Sequence, residues 1–208
     1  MKKQKDNKHL AAHYLLVLCT FALVLTLVKI SWGADKSDEL SADFVMTRTI
    51  SALNDSIKST GRIYLGGPGL LRWEMLKPAR SVLVVNGETA WLHYPDMGVT
   101  KGFSLSSDPV MSVLSKHLLA LTKGNFKNLA QYYDVSDAVK ETRTLTPKQD
   151  TVKKIFKALK VKANSNGIVS FVEMISQSGD VTKIEFSNVN SKAALSPSLF
   201  KKPKQNKR

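Results

Sequence analysis

Cysteine is nearly absent: the 208-residue chain has one, Cys19, inside an apolar run near the amino terminus. Beyond residue 33 there is none, which excludes a disulfide framework and thiolate metal sites there. Stability of that part has to come from packing. Histidine is almost as scarce, with His93 and His117 alone beyond residue 33, too far apart in sequence to suggest a metal site by spacing. Both are expected to be ordinary surface or satisfied histidines. No Gly-x-Ser-x-Gly, His-Glu-x-x-His or Gly-x-x-x-x-Gly-Lys run occurs, so the common hydrolase, metalloprotease and phosphate-cradling signatures are missing. Gly66-Gly67-Pro68-Gly69 reads as a turn instead. Asp and Glu are scattered, without the pairing that a two-carboxylate hydrolase would need. An enzyme is therefore the least supported class, and neither cofactor nor metal is expected.

Acidic charge is also short, at 17 Asp and Glu against 31 Lys and Arg, a formal net charge of +14. Residues 1–33 hold five Lys and one Asp, so the remainder keeps +10. Such a surface suits nucleic acid, anionic lipid or an acidic protein partner. The amino terminus argues against nucleic acid. Met1–His9 carries Lys2, Lys3, Lys5 and Lys8 against Asp6, and an apolar stretch from Leu10 to Val28 follows, the n-region and h-region of an export signal. Ser31 and Gly33 are the small residues a signal peptidase wants at −3 and −1, so residues 1–33 are expected to be removed before Ala34. The alternative is an uncleaved anchor, since about 19 residues at ~1.5 Å rise could just span a bilayer. Leu18 stands where a lipoprotein signal needs a small residue, which rejects lipid attachment at Cys19. Either way the body of the chain is expected in the periplasm.

From Leu40 onward the text consists of short β-prone runs broken by turn residues, with little long helical periodicity. Strands are expected at Ala42–Ile50, Ser56–Leu65, Leu70–Leu76, Ser81–Val85 and Thr89–Tyr94, with turns at Asn54-Asp55 and Asn86-Gly87. Pro95-Asp96-Met97-Gly98 closes the fifth. Ser107-Asp108-Pro109 then reads as a helix start, and Val110, Leu114, Leu118 and Leu121 fall on one face up to Lys123-Gly124, with Met111 beside them. Strands follow near Tyr132–Val135 and Val139–Leu145, then a short helix from Thr151. Three more are expected at Lys160–Ala163, Ile168–Ser176 and Val181–Asn188. The fold class is α+β, mostly antiparallel, a sheet long enough to curl into an incomplete barrel with short helices across its mouth. One domain over 34–200 is expected, followed by a basic disordered tail over 201–208.

Within that pattern, Ala42-Asp43-Phe44-Val45-Met46, Gly61-Arg62-Ile63-Tyr64-Leu65, Pro68-Gly69-Leu70-Leu71-Arg72-Trp73-Glu74, Pro78 and Val84-Val85-Asn86-Gly87-Glu88-Thr89-Ala90-Trp91 with Tyr94-Pro95 are collinear with a known family. Leu145-Thr146-Pro147-Lys148, the Gly179-centred hairpin and Ile184-Glu185-Phe186-Ser187-Asn188-Val189 continue the series. In order and spacing the chain resembles the LolA-type periplasmic lipoprotein carriers from about Leu40 to Phe200. The resemblance implies an incomplete antiparallel barrel whose apolar interior takes acyl chains from an inner-membrane transporter and passes them to an outer-membrane acceptor. Two positions depart from the family pattern: Met46 stands where a Gln is usual, and Gly67 where an Arg precedes the Pro. The chain also runs only eight residues past Phe200, a basic stretch in place of a further ordered segment.

Phe44 and Met46 share one strand face, as do Leu71, Trp73 and Met75. With Trp91 these are the candidate cavity wall, and Met111, Leu114 and Leu118 the candidate lid. The plain alternative is that all are ordinary core or helix-packing residues. Met46, Met75, Met97 and Met111 supply adaptable apolar surface. The basic tail is a solvated end, or an attraction to an anionic membrane surface. A monomer is expected. Two other functions stay open: a periplasmic lipid or lipoprotein sensor or adaptor of the same fold, and a carrier of another lipid such as a glycolipid or a pigment-linked acyl chain.

Overall fold

The computed structural model describes residues 39–53, 55–67, 69–107, 132–136, 139–163 and 169–204. Alternating apolar and polar side chains produce eleven strands there: β1 (Glu39–Ile50), β2 (Asp55–Gly66), β3 (Leu70–Lys77), β4 (Ser81–Asn86), β5 (Thr89–Tyr94) and β6 (Val99–Ser104), then β7 (Tyr133–Val135), β8 (Thr142–Pro147), β9 (Phe156–Ala163), β10 (Val169–Ser176) and β11 (Val181–Asn190). Among the described residues the helical elements are α1 (Asp150–Lys153) and two 3₁₀ turns, Pro95–Met97 and Pro197–Phe200.

All strands join one sheet in the order β6-β5-β4-β3-β2-β1-β11-β10-β9-β8-β7, each pair antiparallel. The sheet is two meanders joined back to back by the β1–β11 pair, where Phe44 faces Phe186 and Met46 faces Ile184. It is not closed, because β6 and β7 stand at its two edges. Residues 105–132 connect those edges. The helix expected over Pro109–Leu121 lies in that connection, outside the described residues, as do residues 1–33.

Three boundaries differ from expectation. β6 was not anticipated, because Gly102 interrupts its short apolar pattern; it pairs along the whole of β5, from Thr89 opposite Ser104 to Tyr94 opposite Val99. β9 begins at Phe156, four residues before Lys160, with Phe156 paired to Ser176. Val139 makes only an isolated bridge to Thr142, where β8 starts. The second hairpin also turns one residue later than expected: Asn86 pairs with Thr89, leaving Gly87-Glu88 as the two-residue loop. Gly87 takes φ +60 at its first position, a conformation that glycine adopts without penalty.

One face of the sheet forms a continuous core. Leu40, Leu65, Leu71, Val85 and Ala90 make one row across β1 to β5, and Ala42, Ile63, Trp73, Leu83 and Leu92 the next, each member buried. The other meander adds Thr182, Met174, Leu159 and Leu145 on the same face. On the opposite face the carboxyl-terminal 3₁₀ turn docks against β3 and β4. Arg72 Nη1 donates to Leu199 O at 3.1 Å and Asn86 Nδ2 to Phe200 O at 3.3 Å, while the Ser196 side chain caps the turn by accepting from Ser198 N. Phe200 is buried, its ring directly against Gly66. Of the tail expected to be disordered, residues 201–204 are described, with Lys201 N donating to Ser198 O at 3.3 Å.

A clasp ties the two meanders together at one end. Arg48 Nη2 on β1 donates to Asp180 Oδ2 at 2.9 Å, and the Ser51 amide donates to Asp180 Oδ1 at 3.1 Å, joining the β1–β2 turn to the β10–β11 turn. Burial pushes the Asp180 carboxyl up, but the hydrogen bonds from Arg48 and Ser51 and the Arg48 charge outweigh it and hold the group below its ordinary value. A depressed carboxyl stabilises the fold above the unfolded value, near pH ~4, and that contribution is lost as pH falls through the folded value. Asp180→Asn should therefore unfold at a lower temperature than the parent at neutral pH, with the two thermal-unfolding curves converging as pH falls through the depressed carboxyl value. An offset that is constant with pH would refute the clasp.

Candidate functional site

At the centre of the inner face, Phe44 on β1 sits opposite Gly61 on β2, which sits opposite Met75 on β3. A Cβ at position 61 would lie 2.4 Å from Phe44 Cζ and 1.9 Å from Glu74 O. The bare backbone lets the Phe44 ring cross β2 and stack on Trp73, centroids 4.0 Å apart and planes at 28°. Such offset aromatic pairs add ~0.5–1.5 kcal/mol beyond the area they bury. Phe44 and Trp73 are 1% and 3% exposed, Leu71 beside them is buried, and Met46 and Met75 pack half-buried against the same cluster. Met46 lies between Ser59 and Ile184.

Phe44, Met46, Leu71, Trp73 and Met75 are thus brought together on one face. Trp91 is not among them. It pairs with Val84, which pairs with Arg72, and paired residues point to the same side of a sheet. Ala90 and Leu92 are the inward residues of β5, so Trp91 belongs to the outer face, a correction to its place in the expected wall. Its indole lies over Gly102, where a Cβ would come within 3.2 Å of Cδ1. Met111, Leu114 and Leu118 lie outside the described residues. Several residues of the same buried face were missed: Ile63, Leu83 and Leu92 in the first meander, Ile184, Val172, Met174 and Leu159 in the second. Their period-two alternation was a signal that could have found them.

The two faces differ sharply in polarity. The outer one carries the ion pairs Arg72–Glu74, Arg62–Asp43 at 3.1 Å, and Lys160 and Lys183 on Glu173 at 2.9 and 3.7 Å. It also has a cavity of about 280 Å³ lined by Ser41, Asp43, Arg62, Tyr64 and Asn188. There the charges meet one another, since Asp43 accepts from both Arg62 and Asn188. Hydrogen bonds to Tyr64 and Asp43 hold the Arg62 guanidinium still more firmly in its charged form. His93 is buried on this face and satisfied, its Nδ1 3.2 Å from Val99 O and 2.9 Å from Thr100 Oγ1. On the inner side the Tyr133 phenol is pushed up by burial and stacks on Phe156 at 6.4 Å. What the inner face offers is apolar contact area, worth ~0.8 kcal/mol for each methylene it removes from water.

The sequence profile of the family described as "Outer membrane lipoprotein carrier protein LolA" matches residues 35–203. The chain belongs to the LolA family. An outer-membrane lipoprotein carrier protein from Chromobacterium violaceum is 31% identical over 173 residues, covering 79% of this chain and 76% of that one. Another, from Haemophilus influenzae, is 25% identical over 197 residues, covering 95% and 92%. Among solved structures, a LolA superfamily protein from Nitrosomonas europaea aligns at a TM-score of 0.45 and 13% identity over 87% of this chain and 97% of that one. The family match spans the whole sheet and the docked carboxyl-terminal turn, and with them the Phe44–Gly61–Trp73 crossing.

Gly61→Ala tests that crossing. The added methyl has to displace either the Phe44 ring or the β3 backbone, so it should destabilise the fold by about 2 kcal/mol or more, as overpacking does. Thermal unfolding together with Trp73 fluorescence is the measurement. A gain in stability, as alanine normally gives within a strand, would mean the crossing is not constrained.

Proposed function

We propose that this protein binds the acyl chains of a lipoprotein on the inner face of its sheet and carries them through the periplasm, from an inner-membrane transporter to an outer-membrane acceptor. The observation that carries the reading is one continuous apolar face on an unclosed sheet, in a chain of the LolA family whose relatives are named lipoprotein carriers. The physical need is plain. An acyl chain of about 16 carbons costs roughly 12 kcal/mol to move into water, at ~0.8 kcal/mol per methylene. Free diffusion across an aqueous gap is then negligible.

In this reading Phe44, Met46, Leu71, Trp73 and Met75 form the wall, and the segment joining the two sheet edges supplies the lid through Met111, Leu114 and Leu118. The two half-buried thioethers, Met46 and Met75, border the rigid Phe44–Trp73 stack and give adaptable surface for chains of varying shape. Export relies on residues 1–33 as a cleaved signal peptide. The protein acts as a monomer and needs no cofactor.

Two measurements test the proposal. Lipid extraction of the protein recovered from cells should yield diacylglyceryl or acylated peptide by mass spectrometry; a clean extract, or a glycolipid in its place, would overturn the cargo. For the lid, Leu114→Ser with Leu118→Ser should speed release of a fluorescent fatty acid, since each leucine contact holds ~1.5–3 kcal/mol of the closed state. An unchanged release rate with a much lower unfolding temperature would assign that segment to the core.

A further inference from the structure

The sheet has two ends, and they differ. Turns β1–β2, β3–β4 and β5–β6 fall at one end because consecutive hairpins alternate, and the β10–β11 turn joins them because Thr49 pairs with Val181. Of the seven large apolar side chains that stand exposed among the described residues, five lie at this end: Leu53, Ile57, Leu76, Met97 and Val99. Leu53 and Met97 are 68% and 62% exposed. Leu76 is the extra residue of a bulge, since Gly61 pairs with Met75 and Thr60 with Lys77. The remaining two, Val135 and Val139, are near the opposite end, beside the β7 edge.

Charge accompanies the apolar tips. Lys58 and Lys77 are exposed on β2 and β3 near them, and Lys154 follows α1 at the same end. Of the acids there, Asp96 is paired with Arg80, Asp150 with Lys153 and Asp180 with Arg48, which leaves exposed Asp55 against Lys58, Lys77 and Lys154. The local balance is therefore cationic. Exposed apolar side chains on turn tips, flanked by lysines and short of free acid, match the chemistry of a bilayer interface, where apolar groups enter the acyl boundary and lysines meet anionic head groups.

We propose that this turn end is a docking surface for an anionic phospholipid bilayer, with Leu53, Leu76 and Met97 entering the interface and Lys58 and Lys77 meeting the head groups. This goes beyond the carrier reading and holds whatever the inner face binds. It gives the protein a fixed orientation at a membrane, the strand axes steep to the surface and the turns leading.

The test uses the chain in the form the cell leaves it, with Cys19→Ser and an environment-sensitive fluorophore attached at Leu53→Cys, Met97→Cys or, as the control, Val135→Cys. Vesicles of phosphatidylethanolamine with phosphatidylglycerol should shift the emission to the blue at positions 53 and 97 and leave position 135 unchanged, whereas pure phosphatidylcholine should do little. Lys58→Gln with Lys77→Gln should weaken vesicle affinity roughly 25-fold, about fivefold for each lysine at ~1 kcal/mol near an anionic surface. Three results overturn the proposal. One is the absence of a shift at 53 and 97, or an equal shift at 135. Another is an affinity that ignores the lysines and the lipid charge. The third is a shift that grows with protein concentration and needs no vesicles, which would assign the end to a second copy of the chain.

Discussion

An antiparallel sheet of eleven strands with one apolar face has to keep that face from water, and an open sheet cannot do so by meeting its own other edge. This constraint organises the rest of the molecule. Charged pairs such as Lys160–Glu173 and Arg62–Asp43 lie on the outside, Arg48–Asp180 sits at the turn end, and the two edges are connected by residues 105–132. The sheet itself stays unclosed, so its inner face is not sealed by strand pairing between its two edges.

The Phe44–Gly61–Trp73 crossing is the fixed point within that arrangement. It anchors β1 to β3 across Gly61, the one position of β2 there without a side chain, so the centre of the inner face is set by ring stacking. Around it the thioethers of Met46 and Met75 are half-buried and conformationally adaptable. A rigid aromatic floor bordered by soft side chains suits a carrier that must bind chains without a defined shape and later give them up. On the other face, Phe200 and the Arg72–Leu199 hydrogen bond secure the carboxyl-terminal turn to β3 and β4, which stiffens the strand that bears Trp73.

Much of this was legible in the sequence. Period-two alternation in Leu40–Met46, Gly61–Leu65 and Leu71–Met75 identifies the inner face, and the order of motifs identifies the family. Trp91 was placed in the wall on the family resemblance alone, and β4, reading Val82-Leu83-Val84-Val85 and apolar on both sides, offers no parity to carry across the hairpin as a check. The reason is tertiary: Val84 is fully buried on the outer side, where the turn at Pro197–Phe200 docks against β4. β6 escaped notice because Gly102, which a strand pattern disfavours, is there to admit the Trp91 indole. The cationic apolar end was invisible for a different reason. Leu53, Leu76 and Met97 are scattered in sequence, and only the alternation of hairpins gathers them.

The central claim is that acyl chains occupy the inner face and not the outer one, and the two tryptophans report on the two sides separately. In a Trp32→Phe background, one variant keeps Trp73 alone through Trp91→Phe and another keeps Trp91 alone through Trp73→Phe. Titration with palmitate brominated along its chain should quench Trp73 emission saturably and leave Trp91 unchanged. Equal quenching of both, or quenching of Trp91 alone, would contradict the account.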